Sequence, residues 1–291
     1  MRDCVSHCAS RQAARVRACS VLLALAASLY GQGLAAAAAD DAALRAVIAG
    51  AHRSPDFVAR DGARHPYETL SLFGIRPDMT VVEIWPGGGW YTEILAPYLR
   101  ERGKLYAAHF SVTSELKYFR ELRADFLRKL AAAPALYDKV EVTEFDPPRA
   151  VAIAPPNSAD LVLTFRNVHN WTMRGGGEER TLAAFAAMYA ALKPGGILGV
   201  VDHRLPANRP LGDQQESGYL REDFVIGVAQ RAGFRLVAKS EINANPKDHA
   251  DHPDGVWNLP PSLRGDAAKR SDYLAIGESD RMTLKFIKPI H

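Results

Sequence analysis

The stretch TVVEIWPGGGWYTEIL, residues 80–95, constrains the fold of this 291-residue chain more than any other. Apolar β-branched residues, a glycine-rich turn and an apolar-periodic segment follow one another directly. That order predicts a strand whose C-terminal end turns tightly into a helix. Such a turn lets backbone N–H groups approach a ligand with no side chain in the way. A dinucleotide site needs G-x-G-x-x-G and an acid about twenty residues later. Here Gly87-Gly88-Gly89 runs into Trp90-Tyr91-Thr92, so the third spaced glycine is missing. The acid lies inside the strand instead, at Glu83. At the ligand-binding end of a doubly wound sheet, that carboxylate could pair with a cation such as an amino-acid ammonium. The alternative is a salt-bridged strand-end residue beside a packing turn.

Strand and helix patterns then alternate. Strands are predicted over Thr80–Ile84, Lys104–His109, Val140–Phe145, Ala159–Phe165, Ile197–Asp202, Arg235–Ile242 and Met282–Ile287. Helices are predicted over Thr92–Arg100, Glu115–Ala132, Glu178–Leu192 and Glu222–Ala232. Another is predicted from Pro66 to a stop at Gly74. Alternation of this kind implies parallel pairing with both sheet faces covered. Residues 243–280 are rich in Pro, Asp, Asn and Gly and form an unusually long connection. We read it as a cover over the ligand site, with a mobile insertion as the alternative.

The N-terminus follows different rules. Arg2, Arg11, Arg15 and Arg17 precede the apolar run CSVLLALAASLYGQGLAAAAA, which ends just before Asp40. This is the pattern of a secretory signal peptide over residues 1–39, cleaved within Ala35–Ala39. An uncleaved anchor is the alternative, but Gly31, Gln32 and Gly33 interrupt the run. Residues 1–39 hold four arginines and one acid, so their removal takes the formal charge from +3 to zero. The remaining chain, residues 40–291, therefore has no general electrostatic affinity for nucleic acid. All three cysteines lie in the leader, which excludes a disulfide, a thiolate nucleophile or a cysteine metal ligand in the mature chain. We expect an exported, periplasmic protein with no stable membrane span after cleavage.

The turn Glu83-Ile84-Trp85-Pro86-Gly87-Gly88-Gly89 resembles the first motif of class I S-adenosylmethionine-dependent methyltransferases. LYAAHF, EVTEFDPP, ADLVLTFRNVHNW and ALKPGGILGVVDHR resemble their later signatures in order. Among them the chain is most similar to the exported predicted methyltransferases. The resemblance implies a Rossmann-like, doubly wound α/β sheet of seven strands, mostly parallel with an antiparallel last strand. It also implies S-adenosylmethionine as cofactor. Glu83, Pro86 and the Gly87–Gly89 backbone would take its methionine part. Phe145 and Asp146 would lie by the adenine, and Arg166 and Asn167 would border the sulfonium. Two positions depart from the family pattern. Trp85 stands where a glycine is usual, and His109 stands where an acid takes the ribose hydroxyls.

Methyl transfer needs an aligned acceptor and, for an alcohol, phenol or carbon acid, a base. His169, just past the fourth strand, is the first candidate, and Asp202-His203 at the end of the fifth is the second. The alternatives are a structural His169 that hydrogen-bonds the next loop and, for Asp202-His203, a surface pair at a strand terminus. The family members with Asn and His here methylate small molecules at carbon or oxygen, so a small-molecule acceptor is implied. Asp248, His249, Asp251, His252 and Asp254 have metal-ligand chemistry, but their Pro- and Gly-rich setting reads as a solvated loop, and no metal is expected. Arg60, Asp61 and Arg64 either fold back over the cofactor or are surface charges. A non-catalytic ligand binder on the same fold is the rival reading. A nicotinamide-dependent oxidoreductase is disfavoured by the missing glycine and ribose acid.

Overall fold

The apolar run Thr80–Ile84 becomes β1 of a mostly parallel sheet, because Val81, Val82 and Ile84 lose essentially all solvent contact there. A computed structural model describes residues 39–173 and 175–290. The expected leader and its cysteines, residue 39 apart, lie outside the described residues. The described residues fall into two units divided after Ala46. Residues 39–48 are helical (α1). In the larger unit the elements run α2 (Pro55–Val58), α3 (Asp61–Arg64), α4 (Pro66–Phe73), β1, α5 (Thr92–Leu99), β2 (Lys104–His109), α6 (Lys117–Ala132), α7 (Pro134–Tyr137) and β3 (Val140–Glu144). There follow β4 (Ala159–Phe165), α8 (Val168–Thr172), α9 (Gly177–Ala191), β5 (Leu192–Leu205), β6 (Leu220–Arg221), α10 (Glu222–Arg231), β7 (Arg235–Ser240), α11 (Arg270–Ile276) and β8 (Arg281–Ile287). No helix of the described residues is long and apolar enough to cross a membrane.

The strand order is β3-β2-β1-β4-β5-β8-β7, with β6 paired to β5. From β1 the chain builds outward through β2 to β3, then crosses back to place β4 on the other side of β1. The carboxyl ends of β1 and β4 therefore flank the point where the winding reverses, the usual ligand crevice of such sheets. The final strand β8 inserts antiparallel between β5 and β7, pairing His203 with Arg281. This delivers the amino end of the last strand to the same edge.

Two features extend beyond the sequence reading. The turn Lys193-Pro194-Gly195-Gly196 and residues 203–205 join β5, which is longer than the expected Ile197–Asp202. Backbone bonds between Gly195, Gly196 and Lys288 lengthen one end, and pairing with Arg281 and Leu220–Arg221 lengthens the other. The two-residue β6 adds a short strand to the seven expected.

Helices cover the sheet with apolar faces. Phe185 and Met188 of α9 and Val225 and Val228 of α10 pack in one cluster with Val162, Val200 and Phe286 of the sheet. Phe73 of α4 lies so close to β5 that a Cβ at Gly199 would meet its ring at 2.6–2.8 Å. Glycine is required there by close approach. Overpacking of this kind costs about 2 kcal/mol, so Gly199→Ala should lower unfolding stability by that order in urea titration with the fold retained.

Candidate active site at the carboxyl edge of the sheet

The strand-to-helix turn holds three residues at positive φ: Trp85 (45°), Gly87 (59°) and Gly89 (85°). A Cβ at Gly87 would meet nothing within 4 Å, whereas one at Gly89 would press on Phe126 at 3.3 Å. The first glycine keeps its backbone open to a ligand, and the second allows α6 to pack close. The carbonyls of Pro86 and Gly88 are used inside the chain, by Gly89 N at 2.9 Å and Lys129 Nζ at 3.2 Å.

Glu83 is buried at the end of β1, and Thr92 Oγ1 donates to its Oε2 at 2.6 Å. Burial pushes its carboxyl up to about 7, opposed by the Thr92 bond and by Lys129. It is a carboxyl that would ionise fully on meeting a cation. The neighbouring Glu93 fastens the preceding segment across the turn, accepting from Ser54 N at 2.9 Å and Ser54 Oγ at 2.6 Å. Trp90 Nε1 donates to Phe57 O from the same side, at 2.9 Å.

Trp85 points into an aromatic cage, with ring centroids 4.7 Å from Phe110, 5.4 Å from Phe119, 6.1 Å from Phe145 and 5.5 Å from Trp171. Its Nε1 donates to Phe145 O at 2.8 Å. His109 has both ring nitrogens engaged: Nδ1 accepts from Phe110 N at 2.8 Å, so Nε2 carries the proton toward Gly87 O at 3.0 Å. Burial lowers this imidazole to about 4 and keeps it neutral. The structure thus uses His109 to brace the turn and leaves it no nitrogen for a ribose hydroxyl. Asp146 is held by Arg149 at 2.6 Å and Arg180 at 3.6 Å. Asn167 ties the end of β4 to β1 through Nδ2 and Ile84 O, at 2.8 Å.

Across the crevice, His169, Asp202 and His203 come together. Asp202 Oδ2 accepts from Val168 N at 2.6 Å and His169 N at 3.3 Å. Its Oδ1 accepts from His169 Nδ1 and His203 N, both at 2.8 Å. A carboxylate only accepts, so His169 carries its proton on Nδ1 and presents the Nε2 lone pair. His203 Nδ1 bonds Ser279 Oγ at 2.5 Å, and burial, with nearby arginines, drives its pKa down. Among the described residues these three form the one acid–His group with ligand atoms within 4.8 Å of each other. The four bonds on Asp202 leave it no lone pair for a metal, so the arrangement is that of an oriented base. The acids and histidines of residues 248–254 do not assemble a centre either. Asp248 instead accepts from Tyr219 Oη, His252 Nε2 and the backbone of Ala250 and Asp280, fastening the long segment to the sheet.

Four arginines complete the edge. Arg60 Nε (2.7 Å), Arg64 Nε (3.2 Å) and Arg281 Nη1 (3.0 Å) all reach Glu278. Despite its burial, these guanidiniums and Arg166 hold the Glu278 carboxyl at about 2. Asp61 turns away to pair with Arg53 at 2.5 Å. Arg166 adopts φ 61° and is only partly covered. The sequence reading missed Glu278, Ser279 and Arg281. Their signal was the polar run Glu278-Ser279-Asp280-Arg281 abutting an apolar strand.

Comparison with known proteins bears on the fold. No family model and no curated protein matches the chain. Among solved structures, it is similar to a SAM-dependent methyltransferase from Aquifex aeolicus at 18% identity and a TM-score of 0.53, over 81% of this chain and 94% of that one. It is also similar to the 4+2 cyclase SpnF at 16% identity and a TM-score of 0.51, over 85% and 93%. The chain thus has the Rossmann-like fold found in S-adenosylmethionine-dependent methyltransferases, mostly parallel with antiparallel C-terminal strands.

Glu83 yields a pH test. Its folded pKa lies above the unfolded value of 4.5. Its contribution to stability is therefore full below about pH 4.5 and lost as pH rises through about 7. Glu83→Gln removes that loss and should be more stable than the parent by about 3 kcal/mol above pH 8, with the two converging near pH 4. Denaturant melts across this range check the sign.

Proposed function

We propose that the chain binds S-adenosylmethionine at the Glu83–Gly89 edge and that His169 deprotonates a small-molecule acceptor at carbon or oxygen. The observation carrying this reading is the His169–Asp202 pair, which presents an imidazole lone pair at the edge that holds the open glycine turn. The methionine end of the cofactor fits this turn. Glu83 is a carboxyl poised near 7 for an ammonium, and a Cβ at Gly87 would meet nothing within 4 Å. The adenine end fits once the Trp85 ring leaves the cage beside Phe145. The bound cofactor would supply an electrophilic methyl group. Asp202 holds the base in one tautomer, and Trp257, 6.3 Å from His169, brings residues 243–280 over it as a cover that limits water. Consistent with the zero charge of residues 40–291, the acceptor is a small molecule and not nucleic acid. We place the mature protein in the periplasm after loss of residues 1–39.

Trp85 favours one alternative. A ring that keeps its place would leave a small-ligand binder without methyl transfer. Calorimetry with S-adenosylmethionine and S-adenosylhomocysteine separates the two. Trp85→Gly should tighten binding at least tenfold over the parent, and Glu83→Ala should abolish it. No heat from the parent or from Trp85→Gly would sink the methyl-transfer reading. With an acceptor in hand, His169→Ala should keep cofactor binding and lose kcat roughly a hundredfold or more.

A further inference from the structure

We propose that Arg60, Arg64, Arg166 and Arg281 form a binding site for an oxyanion, and that the small molecule handled at this edge carries a carboxylate or phosphate. Four guanidiniums face one carboxylate, Glu278, which is already shared by three of them. By contrast, Arg204 alone meets Asp280, Glu241 and Glu222. A buried charge without a partner is strongly destabilising, so an excess of this size calls for an anion from outside.

The donors also point to a ligand. Arg64 and Arg281 are 2% and 3% exposed. Yet Arg64 Nη2 and Arg281 Nε are buried with no hydrogen-bond partner, as is Arg60 Nη2. Arg281 Nη2 is spent on Ala63 O, and the Arg64 guanidinium lies 4.8 Å over the Trp90 ring. Arg166 makes no side-chain hydrogen bond or ion pair among the described residues, and its partial exposure gives the cluster an opening. Guanidinium forks suit the paired oxygens of carboxylates and phosphates better than any other group. Burial and neighbouring charge support the same picture, lowering Arg64 well below its usual value and Arg166 to about 10.

Position links the cluster to the base. Arg281 pairs directly with His203 across β5 and β8, and the His203 ring lies 5.1 Å from His169. An anionic group seated here would leave the rest of its molecule beside the base. The site itself stands apart from the methyl-transfer reading; only the identification of its occupant as the methyl acceptor rests on that reading.

The test uses the whole mature protein without S-adenosylmethionine. Inorganic phosphate and benzoate are titrated by calorimetry and thermal melting at constant ionic strength, with chloride as the reference salt. Saturable binding of at least one is expected, and which one binds distinguishes phosphate from carboxylate. Arg166→Gln should weaken that binding at least tenfold and, having lost a like charge, should melt higher than the parent when no anion is added. Glu278→Gln, which frees three guanidiniums, should tighten it. No saturable binding to the parent overturns the proposal, as does equal binding by the parent and Arg166→Gln. Neither result touches the cofactor titrations above.

Discussion

The carboxylate of Asp202 is the point on which the edge of the sheet depends. It sits fully buried near the end of β5 and accepts four hydrogen bonds, three from backbone amides and one from an imidazole. A buried carboxylate is tolerated only when its oxygens are satisfied. Here the satisfaction comes from the first turn of α8 and from the next residue along the strand. Because a helix amino end carries partial positive charge, the same contact neutralises the acid and starts the helix. His169 is fixed as a by-product of that electrostatic repair. Its ring has one orientation and one protonated nitrogen because the acid beneath it has no freedom.

The two sides of the crevice are built on opposite principles. On the side of β1 to β3 the chain satisfies itself: Trp85 fills a cage of rings, and His109 spends both nitrogens on neighbouring backbone. Around Glu278 it leaves guanidinium atoms of Arg60, Arg64 and Arg281 buried and unpartnered. Self-satisfaction lowers the energy of the empty protein at the expense of any ligand that must displace it. Unsatisfied groups do the reverse and store affinity for whatever arrives. The geometry therefore ranks a small anion ahead of a bulky aromatic base in ease of entry.

Much of this could be read in the sequence, for reasons that differ from element to element. The parallel strands β1, β2 and β4 were legible because burial on both faces writes a continuous apolar run. The acid of β1 was legible because it interrupts one. His169 and Asp202-His203 could be placed at the correct edge because they directly follow such runs. Their pairing could not be read, since it depends on the β4–β5 register. The extra length of β5 and the two-residue β6 were hidden because backbone pairing, not side-chain pattern, creates them. Trp85 stood out as an oddity, but its rotation into a cage of rings from four separate segments is a tertiary fact. The arginine cluster was least legible. For Arg60 and Arg64 the sequence left two readings open, a fold back over the cofactor or surface charges, because their partner Glu278 lies more than two hundred residues away.

That separation has a consequence for how the protein comes into being. Arg64 and Glu278 are 214 residues apart, and Arg281 belongs to the last strand of the chain. Chains emerge amino end first and long-range contacts form late. The arginines before β1 must therefore exist for most of synthesis without the carboxylate that partly neutralises them. Only when β8 slides between β5 and β7 does that carboxylate arrive, together with the third guanidinium bound to it. Completion of the sheet and assembly of the arginine cluster are thus one event, and a chain halted before residue 278 would carry Arg60 and Arg64 with neither the carboxylate nor the third guanidinium that gathers them.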